Sequence, residues 1–372
     1  MLLRNKRASF FALASFLVLV MNSVSGALNT RDIEIVRGKD MLDDGDFAVI
    51  DQFLNDAVSE LVKAKEPWSM VNARTAISQR KSCKEPSARA QYCSRFSDSA
   101  RKYIAAALKQ ALEFEDENRR FLLTVNLLIL VDHLEDPRLA DLAIGKLRDA
   151  SAVVRYWAVH AVTNPAMITA ILEANDLKLA QRIAVELKDA VGKSRPEEMD
   201  LMADFAGRMK VAEAEELLLL IADTRIQQYA DWSVEYELVD AGILKVLYER
   251  MSSAGKSKPE IGRRFGQLYS YAIQRYVKGH DKLSNTQKQH LISVLVETED
   301  KCVGKLLGRP QAAIKNAVAQ NDYGALLREH DRLLGSQTRA GELVPDYGTN
   351  PTEKRRTAPL VLPDRPEVKP SA

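Results

Sequence analysis

Apolar positions recur at helical spacing over most of the chain. Phe47, Ile50, Leu54, Ala57, Val58 and Leu61 share one face, because residues three and four apart lie on the same side of a helix. Asp46 stands where that helix is capped, and Pro67 opens the next. Ser87 to Phe114 keeps the period through Tyr92, Phe96, Tyr103, Ala107, Leu108 and Ala111. Asn118 to Leu134 is apolar on most sides and is expected to lie centrally. Further helices are predicted over Glu213–Ala222, Thr224–Met251, Gly262–Lys278 and Asn285–Val296. Ile33 and Ile35 alternate as a strand would, but only briefly. The predicted class is all-α.

An internal repeat stands out from this pattern. Asp136 to Ala150 matches Asp176 to Ala190 at an offset of 40, with identical pairs Asp136/Asp176, Leu139/Leu179, Ala140/Ala180, Leu147/Leu187, Asp149/Asp189 and Ala150/Ala190. Arg155/Arg195 continues the register. The apolar stripe Leu139, Ala140, Ala143, Ile144, Leu147 maps onto Leu179, Ala180, Ile183, Ala184, Leu187. A second helix follows over Ser151–Val162, with Ser151 as cap, Asn164-Pro165 as stop, and Val153, Val154, Trp157, Ala158, Ala161 and Val162 facing inward. A period near 40 with two helices per unit predicts a helical solenoid.

Asp136-Pro137 resembles the aspartate-proline opening of a HEAT repeat, and Asp149-Ala-Ser-Ala-Val-Val-Arg155 resembles its inter-helix aspartate followed by Val-Arg. The resemblance to this armadillo-type family covers about residues 98–195. It implies that Asp136, Asp149, Arg155, Asp176, Asp189 and Arg195 form a polar ladder between successive units. It departs at Val191-Gly-Lys-Ser-Arg-Pro196, where a proline falls at the start of the next inner helix. Beyond that point irregular helical packing is expected.

The chain accordingly divides into a leader (1–27), an N-terminal helical region (28–97), HEAT-like repeats (98–222), a C-terminal helical region (223–334) and a tail (335–372). The tail holds six of the 13 prolines. It is expected to stay disordered, because it has too little apolar surface to offset its ordering entropy. The leader places Arg4, Lys6 and Arg7 before an apolar run from Ala8 to Met21, then Ser23, Ser25, Gly26 and Ala27. That order reads as a secretory signal peptide, too short for a comfortable membrane span. An uncleaved anchor, making the protein a membrane-tethered adaptor, is the alternative. No Asn-X-Ser/Thr sequon other than the excluded Asn350-Pro351-Thr352 occurs, which favours a periplasmic or secreted bacterial setting. Without the leader's three basic residues the balance falls from +2 to −1, so nucleic acid is not an expected partner, and no membrane insertion is expected once the leader is cleaved.

Export bears on the cysteines. Cys83 and Cys93 enclose a polar stretch with Pro86. Closed as a loop, they would form a disulfide; a helix running from Ser87 would hold them apart. Cys302 is left over.

Catalytic motifs are missing. There is no HExxH, GxSxG or EF-hand loop. Gly192-Lys-Ser and Gly255-Lys-Ser lack the upstream glycine of a phosphate loop and read as turns. Ser78-Gln-Arg-Lys81 has no KTG partner, and Asp43-Asp-Gly-Asp46 reads as a turn and cap. No cofactor or metal is expected. His133 and His160 lie in repeat helices and are the candidates if a dispersed, lyase-type site exists, since some HEAT-like proteins serve in pigment attachment. One helix carries Arg264, Tyr271, Arg275 and Lys278 opposite its core stripe. These are anchor residue types for a protein partner, although an ordinary solvated face with one exposed tyrosine is the favoured reading. The expected function is non-enzymatic binding or scaffolding in the cell envelope.

Overall fold

The computed structural model describes residues 28–253, 258–336, 341–343 and 361–365. The leader lies outside them. Among the described residues the secondary structure is helical throughout, with no β-strand. The helices are α1 (Arg31–Val36), α2 (Asp44–Lys63), α3 (Pro67–Ser78), α4 (Arg89–Ala111), α5 (Glu117–Leu134), α6 (Ala140–Ile144), α7 (Ala152–Thr163), α8 (Pro165–Glu173) and α9 (Leu177–Ala190). They continue with α10 (Pro196–Arg208), α11 (Ala212–Ala230), α12 (Asp240–Ser253), α13 (Lys258–Lys278), α14 (Asn285–Thr298), α15 (Gly304–Leu306), α16 (Ala313–Ala319) and α17 (Tyr323–Leu334).

Local chemistry sets many of the boundaries. Asp43 rather than Asp46 caps α2. Its carboxylate accepts from the Asp46 amide at 2.9 Å, and Asp46 accepts back from the Asp43 amide at 3.2 Å, a reciprocal capping box. Pro67, Pro165 and Pro196 each occupy a first helical position, where the missing N–H costs nothing. Pro196 therefore starts α10 instead of preventing a helix there. Ile33 and Ile35 belong to α1, with Ile33 buried and Ile35 exposed. Ser151 precedes α7 without a side-chain cap; its own amide donates to Asp149 Oδ1 at 3.0 Å. Val153 points to solvent, while Val159, outside the expected stripe, is fully buried.

The predicted helix over Thr224–Met251 is two helices. The chain turns at 231–239, where Trp232 (φ 57°) and Tyr236 (φ 47°) adopt the left-handed region. Non-glycine residues rarely do so without compensation. The compensation is a buried pair. Arg225 and Asp240 are both fully buried and joined by two bonds of 2.7 and 2.9 Å. Tyr229 donates to Asp240 Oδ2 at 2.8 Å, and Arg225 also reaches the Glu235 carbonyl at 3.2 Å. The end of α11, the turn and the start of α12 are thus fastened to one another.

Helices pack against their neighbours in sequence and against the next but one. α2 meets α4, α3 meets α5, and α5 meets α7; then α9, α11 and α13 form one row and α10, α12 and α14 another. Polar contacts follow the same spacing. Arg101–Asp141, Arg182–Asp141, Arg148–Asp189 and Arg264–Asp223 each join residues 40 or 41 apart.

α13 departs most from expectation. Apart from its ends and Arg263 and Arg264, it is buried on every side from Ile261 to Tyr276. Tyr271 and Arg275, expected on an exposed face, are only 3% and 2% exposed. Arg275 donates to Glu237 at 3.1 Å and lies 5.2 Å from the Trp232 ring centre. Arg264 pairs with Asp223 and Glu260. Lys278 is occupied by the tail, where it donates to the Leu362 carbonyl at 2.6 Å and pairs with Asp364 at 3.0 Å. A free interface of these four residues does not exist.

The tail is also corrected in part. Leu343 and Leu362 are buried, so two short pieces pack on the helices. Gly341 sits so close to Gly335 that a side-chain carbon there would lie 2.3 Å from the Gly335 amide nitrogen, and Gly335 itself has φ 90°. The other tail residues lie outside the described ones.

Candidate functional site

α7, α10 and the 235–239 turn enclose a groove of about 340 Å³ lined by Tyr156, His160, Glu197, Asp200, Leu201, Tyr236, Leu238 and Val239. The lining has two tyrosines and two carboxylates and no lysine or arginine. Each wall has a local cause. The α10 carboxylates follow Pro196, in the acidic first turns that favour a helix N-terminus. Tyr236 is presented by the left-handed turn that Arg225 and Asp240 hold in place.

His160 is paired from behind. Its Nδ1 lies 2.9 Å from Asp132 Oδ1, which also accepts from Asn164 Nδ2 at 2.7 Å. Hydrogen bonding to Asp132 raises the His160 pKa against the opposing effect of burial. Burial pushes Asp132 up, but the bonds from His160 and Asn164 outweigh it and hold its carboxyl below the usual range. Asp200 has the opposite fate. Burial, then the charges of Asp204 and Asp240, push it up to about 6. The groove therefore sets a carboxyl that keeps its proton toward neutral pH near a histidine that gains one.

The histidines named from sequence do not meet. His133 follows Asp132 on α5 and keeps part of its ring in solvent. Burial of the rest, with the charges of Arg74 and Lys81, lowers its pKa despite Asp132. Asp132 is the partner that sequence reasoning missed, 28 residues from His160. Ser78 and Lys81 are also separately engaged, Ser78 with the Thr75 carbonyl and Lys81 with Glu135. Gly192-Lys-Ser begins in a 3-10 turn, and Gly255-Lys-Ser lies outside the described residues.

The six ladder residues divide by role. Asp136 caps a 3-10 turn, accepting from the Arg138 amide at 2.9 Å, and takes a bond from Ser97. Asp176 caps α9 through the Leu179 amide at 3.0 Å. Asp149 holds the Ser151 amide. Arg155 donates to the carbonyls of Asp149, Ala150 and Lys193 at 2.9, 3.0 and 3.2 Å. Asp189 pairs with Arg148. Arg195 serves as a backbone cap, its amide donating to Glu198 at 3.2 Å. The cross-unit ion pairs centre on Asp141, which no sequence match singled out. Asp136 does not line the seam between the copies, but Asp176, Arg101, Arg138, Asp141, Lys178 and Arg182 do.

The three cysteines carry free thiols. Cys83 donates to the Glu85 carbonyl and Cys93 faces the Lys81 carbonyl, so the disulfide is not formed. Among the described residues no three His, Cys, Asp or Glu side chains are grouped to hold a metal, and no helix is long and apolar enough to cross a membrane. Comparison with family models, curated proteins and solved structures finds no match to this chain.

Proposed function

We propose that the protein is an exported, non-enzymatic binding protein whose paired helices stack as a HEAT-like solenoid and whose partner docks in the groove between α7, α10 and the 235–239 turn. The observation that carries this reading is the groove lining, two tyrosines and two carboxyl side chains with no lysine or arginine, His160 being the one basic group and already paired with Asp132. Such a surface suits a protein segment bearing lysine or arginine, through contact with aromatic faces and carboxylates. The repeat of polar contacts at 40–41 residues supports the stacked arrangement. The apolar leader after Arg4, Lys6 and Arg7 supports export. The test is cross-linking of the native protein in its cells, followed by the same capture with Tyr156→Ala and Tyr236→Ala. A partner lost from both variants, with their melting transitions intact, supports the reading. Unchanged capture overturns it.

A second reading has one specific observation in its favour. The Asp132–His160 pair opens on the same groove as the protonatable Asp200, an arrangement suited to proton transfer in an elimination or addition. A substrate panel decides it. Turnover that His160→Ala abolishes and His133→Ala spares would replace the binding reading with an enzymatic one.

A further inference from the structure

The residues that looked like a partner interface are occupied by the chain itself. Val361–Arg365 lies across α13 and Trp232 without helical or sheet structure. Leu362 is fully buried, while the residues on both sides of it are exposed. Its amide donates to Gln274 Oε1 at 2.8 Å, and its carbonyl accepts from Lys278 Nζ at 2.6 Å. The Pro363 carbonyl accepts from the Trp232 indole N–H at 2.8 Å, and Asp364 pairs with Lys278 at 3.0 Å.

We propose that this slot is a peptide-binding site for an extended segment carrying leucine, proline and an acidic residue in succession, and that Val361–Arg365 is its tethered, displaceable occupant. Three features support this. Recognition is by backbone atoms plus one apolar anchor, the way folded domains read linear segments. Three of its polar contacts go to main-chain groups of the segment, against two through the Asp364 and Arg365 side chains, so a foreign segment with the same anchor can make them. Trp232 is held in the left-handed region (φ 57°) with its N–H toward the peptide carbonyl, a strained setting of the kind found at ligand clamps. One buried side chain and a few hydrogen bonds bind weakly as a free peptide. Attachment to the same chain makes the event intramolecular and keeps the slot filled. Asp364 is 94% exposed at its side chain, so a competitor has an open end at which to enter.

The experiment uses the full chain and a fluorescent peptide of residues 359–367, read by anisotropy. Leu362→Asp should release the tail and leave the slot intact. It is expected to bind the peptide at least tenfold more tightly than the unmodified chain does. Adding Lys278→Glu should abolish that gain. Asp364→Lys, at an exposed position, should give a smaller gain of about threefold and serves if Leu362→Asp fails to fold. Equal affinity in the unmodified and variant chains, or no binding to a Leu362→Asp chain with an intact melting transition, overturns the proposal. A dimer of the unmodified chain that Leu362→Asp dissolves would also overturn it, because the occupant would then be the tail of a second copy.

Discussion

In the first repeat copy, Asp136–Ala150, the backbone begins as a 3-10 turn at Pro137, makes five residues of α6 and breaks at Gly145. In the second, Asp176–Ala190, α9 runs unbroken for 14 residues. Yet Leu139, Ala140, Ala143 and Leu147 are buried in the first as Leu179, Ala180, Ile183 and Leu187 are in the second. The differences lie in Pro137 against Leu177 and Gly145 against Val185. Pro137 stands at a first helical position, where its missing N–H costs nothing, but glycine costs about 1 kcal/mol in a helix interior. The repeat keeps the same side chains buried, while Gly145 against Val185 bears on how continuous the helix is.

The strongest way to break this comparison is to truncate the matched leucines, both fully buried. Leu147→Ala and Leu187→Ala should each cost about 2–5 kcal/mol in urea unfolding. Values alike within about 1 kcal/mol would show that helix continuity adds little to the stripe. A much smaller cost at Leu147 would show that it adds a great deal.

The opening aspartates should differ. Asp176→Ala removes a cap and should cost about 1 kcal/mol. Asp136→Ala also removes the bonds from Arg138 and Ser97 and should cost about 2 kcal/mol at pH 7. Burial pushes Asp136 up, but the hydrogen bonds from Arg138 and Ser97 outweigh it and lower its pKa from the ordinary 3.8. The unfolded chain then takes up the proton first as pH falls. The Asp136 contribution is therefore full above its unfolded value and is lost as pH falls through the folded one. Unfolding midpoints of the parent and Asp136→Ala should converge as pH falls below the ordinary carboxylate range. A gap that stayed constant would deny the ionic part.

The matched arginines sharpen the point further. Arg155→Ala should cost about 1–2 kcal/mol through its three carbonyl partners. Arg195→Ala should stay within about 0.5 kcal/mol, because its cap is made by the backbone amide. The effect of opposite sign is expected at Gly145, whose backbone is helical (φ −61°) and whose added carbon would meet only carbonyls at 3.6 and 3.9 Å. Gly145→Ala should stabilise by about 0.5–1 kcal/mol, read as a raised melting temperature.

These contrasts bear on how far residues alone reveal the structure. Helical period located α2, α4, α5 and α14 because each exposes one polar face or caps with aspartate or serine. It passed over the break at 231–239 because the two left-handed residues are Trp232 and Tyr236. Neither is a turn-forming type, and the Arg225–Asp240 pair holds the turn. On α13, Arg275 reads as part of an outward face because charged residues usually are exposed. Its partner is Glu237, 38 residues away, and the buried Ser270 and Gln274 on the same helix meet His330 and Leu362, 60 and 88 residues away. Likewise His160 was visible and Asp132 was not, since no local spacing links α5 to α7. Side chains whose partners lie in another helix pair have no signature within their own window.

Cys302 gives the molecule a built-in clock. It is 1% exposed in the π-helical turn after α14, and burial pushes its thiol up to about 12. At pH 8 such a thiol is far less ionised than the same thiol in an unfolded chain. Alkylation at this position therefore counts openings of the C-terminal half rather than ordinary collisions. Cys93, half-buried in α4 with its thiol raised mainly by burial, offers a second dial. The ratio of the two labelling rates would time how independently the helices around α4 and those after α14 open.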